Sequence, residues 1–171
     1  MEAFQNKPAR AILIYDPSAT SCELVCAAVT EAGCTPLTVS TKTQAAEITR
    51  IHGSSGTGTL AALVLDASAD APLSEIILRS ILGVPGAEDL VGLLLVDPKN
   101  RAPLPSAAGL PSLARPFSRS ELVIVIKEAL GDVDADVEAL LGRLRQALQR
   151  GEPLPWQSVL PLYPTSPVGP V

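Results

Sequence analysis

Five short apolar runs, separated by segments of helical character, limit the fold of this chain more than any other feature. They are rich in Val, Ile and Leu and read RAILIYD (10–16), TPLTVS (35–40), LAALVLD (60–66), LVGLLLVD (90–97) and GLPSLA (109–114). A strand without polar alternation is buried on both faces, which is typical of a parallel sheet. The runs therefore predict five parallel strands.

Helical patterns lie between these strands and after the last one. The four segments are 18–33, 42–53, 72–83 and 118–131. The first two end at Gly33 and Gly53, Pro72 occupies a favoured first-turn position, and Ser118 with Glu121 forms a capping box. Strands and helices that alternate in this way predict a doubly wound α/β sheet with helices on both faces.

Charged side chains stand where the predicted strands end. Asp16, Asp66 and Asp97 close the first, third and fourth runs, and Arg115 comes just past the fifth. In doubly wound sheets the functional site lies at the carboxyl ends of the strands. Carboxylates brought together there repel one another unless a cation intervenes. We therefore expect the acidic pocket either to bind a divalent metal or to be neutralised by Arg115.

Three of these segments resemble the receiver domain of bacterial two-component response regulators, and the resemblance covers residues 10–130. ILIYDPS is similar to the first strand with its metal-binding acid, ALVLDAS to the third strand with the phosphoacceptor aspartate, and ARPFSRSEL to the Lys-Pro-Phe stretch and last helix. The resemblance implies a flavodoxin-like, receiver-like sheet. It also implies that Asp66 is equivalent to the phosphoacceptor, that Asp16 is a metal ligand, that Arg115 replaces the lysine, and that the peptide bond before Pro116 is cis.

The sequence departs from the receiver pattern at several functional positions. Pro17 replaces a second acid and offers no metal ligand, so any magnesium is expected to bind weakly, through Asp16 and Asp66. Asp97 replaces the hydroxyl residue that bonds the phosphoryl group, and a carboxylate would repel that group. Arg115 replaces a lysine, and its planar fork suits a bidentate bond to a carboxylate instead.

The stretch 97–115 is too short and too rich in proline for the family's fourth helix. A proline inside a helix costs ~3 kcal/mol, so we expect a loop or a single turn here. The aromatic switch residue of the family falls at Ser112. The hydroxyl and the aromatic ring of the usual relay are therefore both expected to be missing.

Two further segments follow the receiver-like domain predicted for 1–131. Residues 132–150 have acids at one end, arginines at the other and an apolar stripe that includes Leu141 and Leu144. They predict an amphipathic helix whose stripe docks on the domain, on a second copy or on another protein. The Pro-rich stretch 151–171 predicts extended chain. It is either a linker or an anchor, which binds a partner or the domain's own groove through Trp156 and Tyr163.

The charge and the cysteines restrict the partners and the compartment. A net charge of -5 argues against binding to nucleic acid or to an anionic membrane. No stretch approaches the ~18 apolar residues of a membrane span. With nucleic acid and membranes both disfavoured, other proteins are the expected partners. Three cysteines without an apolar secretory segment indicate reduced thiols in a cytoplasm. Cys22 and Cys26, one helical turn apart, are expected to pack in the protein.

These features predict a degenerate, pseudo-receiver signalling module of a bacterium, which acts by protein contact, is not an enzyme and needs no cofactor. In such a module Arg115 would neutralise the carboxylates permanently, whereas in a phosphorylated receiver the charge of the site changes with the phosphoryl group. One alternative is a response regulator phosphorylated on Asp66 with magnesium. A second is a small flavodoxin-like enzyme or nucleotide binder that uses the carboxylates.

Overall fold

The computed structural model describes residues 9–99 and 104–132, together with 142, 143, 145, 146 and 149–151. The chain divides into two compact units, Met1–Asp132 and Val133–Val171. The C-terminal helix predicted for 132–150 is described only in part. The tail after Gly151 lies outside the described residues, and so do Leu141, Leu144, Trp156 and Tyr163.

The described part of the chain forms one sheet of five parallel strands in the order β2-β1-β3-β4-β5. The strands are β1 (Ala11–Tyr15), β2 (Thr35–Thr38), β3 (Leu60–Asp66), β4 (Val91–Val96) and β5 (Ser112–Ala114). All residues of the interior strand β1 are buried, because helices cover both faces of the sheet. The predicted doubly wound five-stranded sheet is confirmed.

Helices α1 (Ala19–Glu31), α2 (Lys42–His52), α3 (Ala71–Leu82) and α4 (Arg119–Ala129) alternate with the strands. Ser18 and Asp70 cap α1 and α3, and Ser118 forms the predicted capping box with Glu121 at the start of α4. Such caps pair the N–H groups that the first turn leaves open. None of the helices in the described residues has both the length and the apolarity needed to cross a membrane.

Two apolar clusters hold the layers together, one on each side of the sheet. Ile12 and Ile14 of β1 pack with α1 and α4, whereas Leu13 and Tyr15 pack with α2 and α3. Alternate residues of the same strand thus enter opposite clusters. This explains why the sequence of the strand shows no polar alternation.

The segment between β4 and β5 contains a short turn instead of the helix that the receiver pattern would have there. Between β4 and β5 the described residues contain a single 3₁₀ turn, Pro105–Ala107, and the expectation of a loop or single turn is confirmed for them. Leu104 and Leu110 pack onto the cluster beside α2 and α3. A Cβ on Gly92 would lie only 2.9 Å from Leu110, so glycine lets this side chain lie against β4.

Glu75 attaches this turn to helix α3. Its carboxylate accepts hydrogen bonds from the Ser106 hydroxyl and, at 3.3 Å, from the Ser106 backbone N–H. Arg79 Nε donates to the same carboxylate at 2.9 Å. The Ser106 hydroxyl, with smaller contributions from the Ser106 N–H and Arg79, lowers the pKa of Glu75, and burial opposes this shift.

We predict that Glu75→Gln destabilises the fold by about 1 kcal/mol at pH 7, because the charge-assisted hydrogen bonds to Ser106 weaken. The folded pKa lies below the ordinary value of 4.5, so this contribution is present above that value and is lost as the pH falls through the lowered one. Urea unfolding at pH 7 and pH 3 checks this. The exposed Glu47 of α2 provides the control Glu47→Gln. An equal loss in both variants, or a Glu75→Gln loss independent of pH, would contradict the prediction.

Candidate functional site

Arg115 reaches the carboxyl edge of the sheet because β5 ends immediately before it. Its backbone N–H donates to the carbonyl of Val96 at 2.8 Å and so continues the pairing of β5 with β4. The Arg115–Pro116 peptide bond is cis. The guanidinium carbon lies 5.2 Å from the centre of the Phe117 ring, within the range of a cation–π contact. These contacts place a cation over the edge where the strands end.

The guanidinium of Arg115 joins the acids that follow β1 and end β3. Its Nη2 atom lies 3.3 Å from Asp16 Oδ2 and 3.3 Å from Asp66 Oδ1. The side chains of Asp16 and Asp66 are only 1% and 2% exposed, whereas that of Arg115 is 27% exposed. We call these three side chains the guanidinium bridge. The bridge compensates two charges that would be costly to bury alone.

Asp16 is also bound by the first turn of α1. The backbone N–H of Ser18 donates to its Oδ1 at 3.0 Å, and the Ser21 hydroxyl donates to its Oδ2. The same hydroxyl accepts a hydrogen bond of 2.8 Å from Nη1 of Arg115. Ser21 therefore contacts both partners of one ion pair.

Asp66 is held by the loop that leads into α3. The Ser68 hydroxyl donates to its Oδ1 at 2.9 Å, and the Ala69 backbone N–H donates to its Oδ2 at 3.0 Å. The buried Ser74 hydroxyl donates to the Asp66 carbonyl at 2.7 Å, which ties the end of β3 to α3. Both oxygens of the carboxylate thus accept hydrogen bonds, which compensates the burial of its charge.

Asp97 is brought to the same edge but has a different partner. With Asp16, Asp66 and Arg115 it lines an open cleft of about 290 Å³. Its carboxylate accepts the backbone N–H of Lys99 at 2.9 Å. In the described residues, Arg115 forms ion pairs with Asp16 and Asp66. The sequence predicted that all three acids lie at the carboxyl edge of the sheet, and they do, but Arg115 contacts only Asp16 and Asp66 among the described acids.

Two polar side chains near the site were missed by sequence reasoning. Ser21 has a weak signal, a hydroxyl in the first turn of the helix that follows Asp16. Tyr15 precedes Asp16, and its hydroxyl is buried without a hydrogen-bond partner among the described residues. Burial raises the pKa of Tyr15, and Asp70, Asp66 and Asp16 raise it further. The proximity of these charges to Tyr15 follows from the fold rather than from a motif.

The cysteines pack as expected. Cys22 and Cys26 are half-buried against the cluster beside α1 and α4. Burial, together with the neighbouring Cys26 thiol, raises the pKa of Cys22 to about 11. The Cys22 thiol therefore stays protonated at neutral pH, which disfavours both metal binding and nucleophilic chemistry.

No protein-family model and no curated protein matches this sequence. Solved structures do match it. A CheY-like receiver domain of a response regulator from Methanospirillum hungatei JF-1 has a TM-score of 0.57 at 14% identity, over 71% of this chain and 94% of that one. This similarity identifies the fold. The chain has the receiver fold.

Two further matches support this fold. The receiver domain of sensor histidine kinase PA1611 from Pseudomonas aeruginosa PAO1 has a TM-score of 0.57 at 17% identity, over 72% of this chain and 99% of that one. That structure has a magnesium ion coordinated in the active-site cleft. A putative response regulator from Chloroflexus aurantiacus J-10-fl has a TM-score of 0.56 at 20% identity, over 72% of this chain and 99% of that one.

The acids of this receiver fold do not fit a magnesium ion as they are arranged. Magnesium requires six oxygen ligands at about 2.0–2.1 Å in octahedral geometry. Here a guanidinium nitrogen lies 3.3 Å from one oxygen of Asp16 and one of Asp66, and its charge repels a second cation. The described residues also contain no group of three or more acidic, histidine or cysteine side chains that could hold a metal.

We predict that Arg115→Met destabilises the fold by about 2 kcal/mol, because two carboxylates lose their shared counter-charge. The loss is smaller than the ~3–5 kcal/mol typical of fully buried pairs, since Arg115 is partly exposed and both acids keep other hydrogen bonds. Urea unfolding checks this, with Arg50→Met on the exposed side of α2 as the control.

The double variant Arg115→Met with Asp66→Asn should be more stable than Arg115→Met alone, because one unpaired charge is removed. If the double variant is less stable than Arg115→Met, or if the Arg115 and Arg50 variants lose the same stability, the guanidinium bridge does not carry this energy.

Proposed function

We propose that this receiver fold is a pseudo-receiver, a non-enzymatic signalling module of the bacterial cytoplasm that acts through contacts with other proteins and is not switched by aspartyl phosphorylation. The observation that carries the proposal is the guanidinium bridge. It supplies in the resting chain a cation where a phosphorylated receiver would need magnesium and a lysine.

Access to Asp66 is the first physical reason. A phosphoacceptor must offer a carboxylate oxygen to the incoming phosphorus, with room for attack in line with the leaving group. The side chain of Asp66 is 2% exposed. Its Oδ1 accepts from Ser68 and Arg115, and its Oδ2 accepts from the Ala69 N–H. Attack by either oxygen would require these contacts to break.

Charge balance is the second reason. A phosphoryl group brings about -1.5 to -2 charges. The acyl phosphate would replace the single charge of the Asp66 carboxylate, so the net gain is about one negative charge, beside Asp16, Asp97 and Arg115 in the same cleft. The half-buried Asp97 carboxylate stands where the family has a hydroxyl that would bond the phosphoryl oxygen. Repulsion there raises the energy of the phosphorylated state.

We predict that the wild-type chain gains no phosphoryl group from acetyl phosphate with magnesium, and that beryllofluoride leaves its amide NMR spectrum unchanged. Intact-mass measurement and NMR check the two outcomes. Asp66→Asn serves as the matched negative control and should behave as the wild type does.

A positive control comes from restoring the family pattern. The triple variant Pro17→Asp, Asp97→Thr and Arg115→Lys returns the second acid, the hydroxyl and the lysine. It should gain a phosphoryl group that Asp66→Asn abolishes. A wild-type adduct that disappears in Asp66→Asn would overturn the proposal.

The second candidate function is that of a phosphoacceptor receiver, with Asp66 as the nucleophile and Asp16 as a magnesium ligand. The geometry of the bridge supports this alternative in one respect. Its contacts of 3.3 Å are longer than the 2.7–2.9 Å typical of charge-assisted hydrogen bonds, so displacement of Arg115 is less costly than for a tight pair. The adduct experiment distinguishes the two functions.

A further inference from the structure

Among the described residues, Ser21 forms the shortest hydrogen bond with the Arg115 guanidinium. Nη1 of Arg115 donates to the Ser21 hydroxyl at 2.8 Å, whereas Nη2 lies 3.3 Å from each carboxylate of the bridge. We propose that Ser21 is a positioning residue, which orients the guanidinium so that its other nitrogen faces Asp16 and Asp66. This inference deepens the proposed function and rests on it, because it names the residue that holds Arg115 against the two carboxylates.

The lengths of these contacts indicate which of them fixes the orientation of the guanidinium. Nη2 of Arg115 donates to both carboxylates, but at 3.3 Å these hydrogen bonds are long, so they restrain the rotation of the fork less than a shorter bond does. A hydrogen bond of 2.8 Å is directional. Ser21 also donates to Asp16, and this donation polarises the hydroxyl and makes it a better acceptor for Arg115.

The backbone holds Ser21 in place. Asp16 accepts the N–H of Ser18 at 3.0 Å, and the Ser18 side chain caps α1 by accepting the N–H of Ser21 at 3.4 Å. Ser21 is therefore fixed by the start of a 13-residue helix rather than by a loose loop. The hydroxyl has a defined position from which to orient a side chain that follows β5.

Phe117 contributes a different restraint. Its ring lies 5.2 Å from the guanidinium carbon and supports that group. A ring attracts a cation without selecting which nitrogen points in a given direction. The rotation of the fork is therefore set by hydrogen bonds, and the shortest of them is the bond from Nη1 to Ser21.

The motion of the Arg115 side chain tests the proposal on the whole 171-residue chain. Nitrogen relaxation of the Arg115 Nε–H group gives its order parameter, and Arg115→Lys assigns the signal. We expect an order parameter near the ~0.85 of rigid backbone in the wild type and below about 0.6 in Ser21→Ala. Ser21→Thr, which retains a hydroxyl, should restore the order. The neighbouring exposed Thr20 provides the matched control Thr20→Ala, which should not change it.

Ser21→Cys provides a second test of nearly equal volume, in which a weak sulfur acceptor replaces the hydroxyl, should Ser21→Ala fail to fold. Loss of order in Ser21→Cys with an unchanged backbone amide spectrum would support the proposal. Unchanged order in every folded variant that lacks the hydroxyl, or no rescue by Ser21→Thr, would overturn it.

This readout is independent of phosphorylation. A wild-type adduct in the acetyl phosphate experiment would overturn the proposed function, yet the Arg115 order parameters would still report whether Ser21 orients the side chain. Conversely, a rigid Arg115 in Ser21→Ala would remove the positioning role while leaving the pseudo-receiver proposal in place.

Discussion

Two carboxylates buried at the same edge of a parallel sheet require a counter-charge, and the site is arranged around that requirement. Asp16 and Asp66 stand side by side because β1 pairs with β3. An isolated buried carboxylate costs several kcal/mol, so a cation must lie within reach of both. Arg115 follows β5, which is separated from β3 by β4. Its long side chain reaches over the end of β4 to the acids beyond.

The same topology explains why the three interior strands, β1, β3 and β4, could be predicted from the sequence, since they are mostly buried, whereas the edge strands β2 and β5 are partly exposed. The run LAALVLD was expected at 60–66, and β3 spans Leu60–Asp66. Burial on both faces removes polar alternation, and this signal survives without knowledge of the partner strands. The fifth run was less well bounded. Only Ser112–Ala114 of 109–114 is a strand, because Leu110 instead covers Gly92 beside the 3₁₀ turn.

The site could be predicted as a set of charges but not as a set of bonds. Strand ends brought Asp16, Asp66, Asp97 and Arg115 to one edge, which follows from the sheet alone. Which acids Arg115 contacts depends on strand order and side-chain reach, and these are tertiary properties. Ser21 could not be selected, because a serine in the first turn of a helix ordinarily indicates capping. Its contact with Arg115 spans 94 positions of sequence.

A guanidinium and a magnesium ion solve the problem of charge balance in physically different ways. Magnesium exchanges with solvent, and its occupancy depends on its concentration, whereas Arg115 is covalently part of the chain. The presence of the guanidinium at this edge therefore does not depend on the concentration of an ion in solution. An equilibrium at this edge can be shifted only by something that differs in affinity for the bridged and open arrangements of Arg115. Partner contacts that move Phe117 or the first turn of α1 would meet this condition, since those elements hold the guanidinium. Under the pseudo-receiver proposal, signals would act through the residues that hold the Arg115 side chain rather than through the chemistry of Asp66.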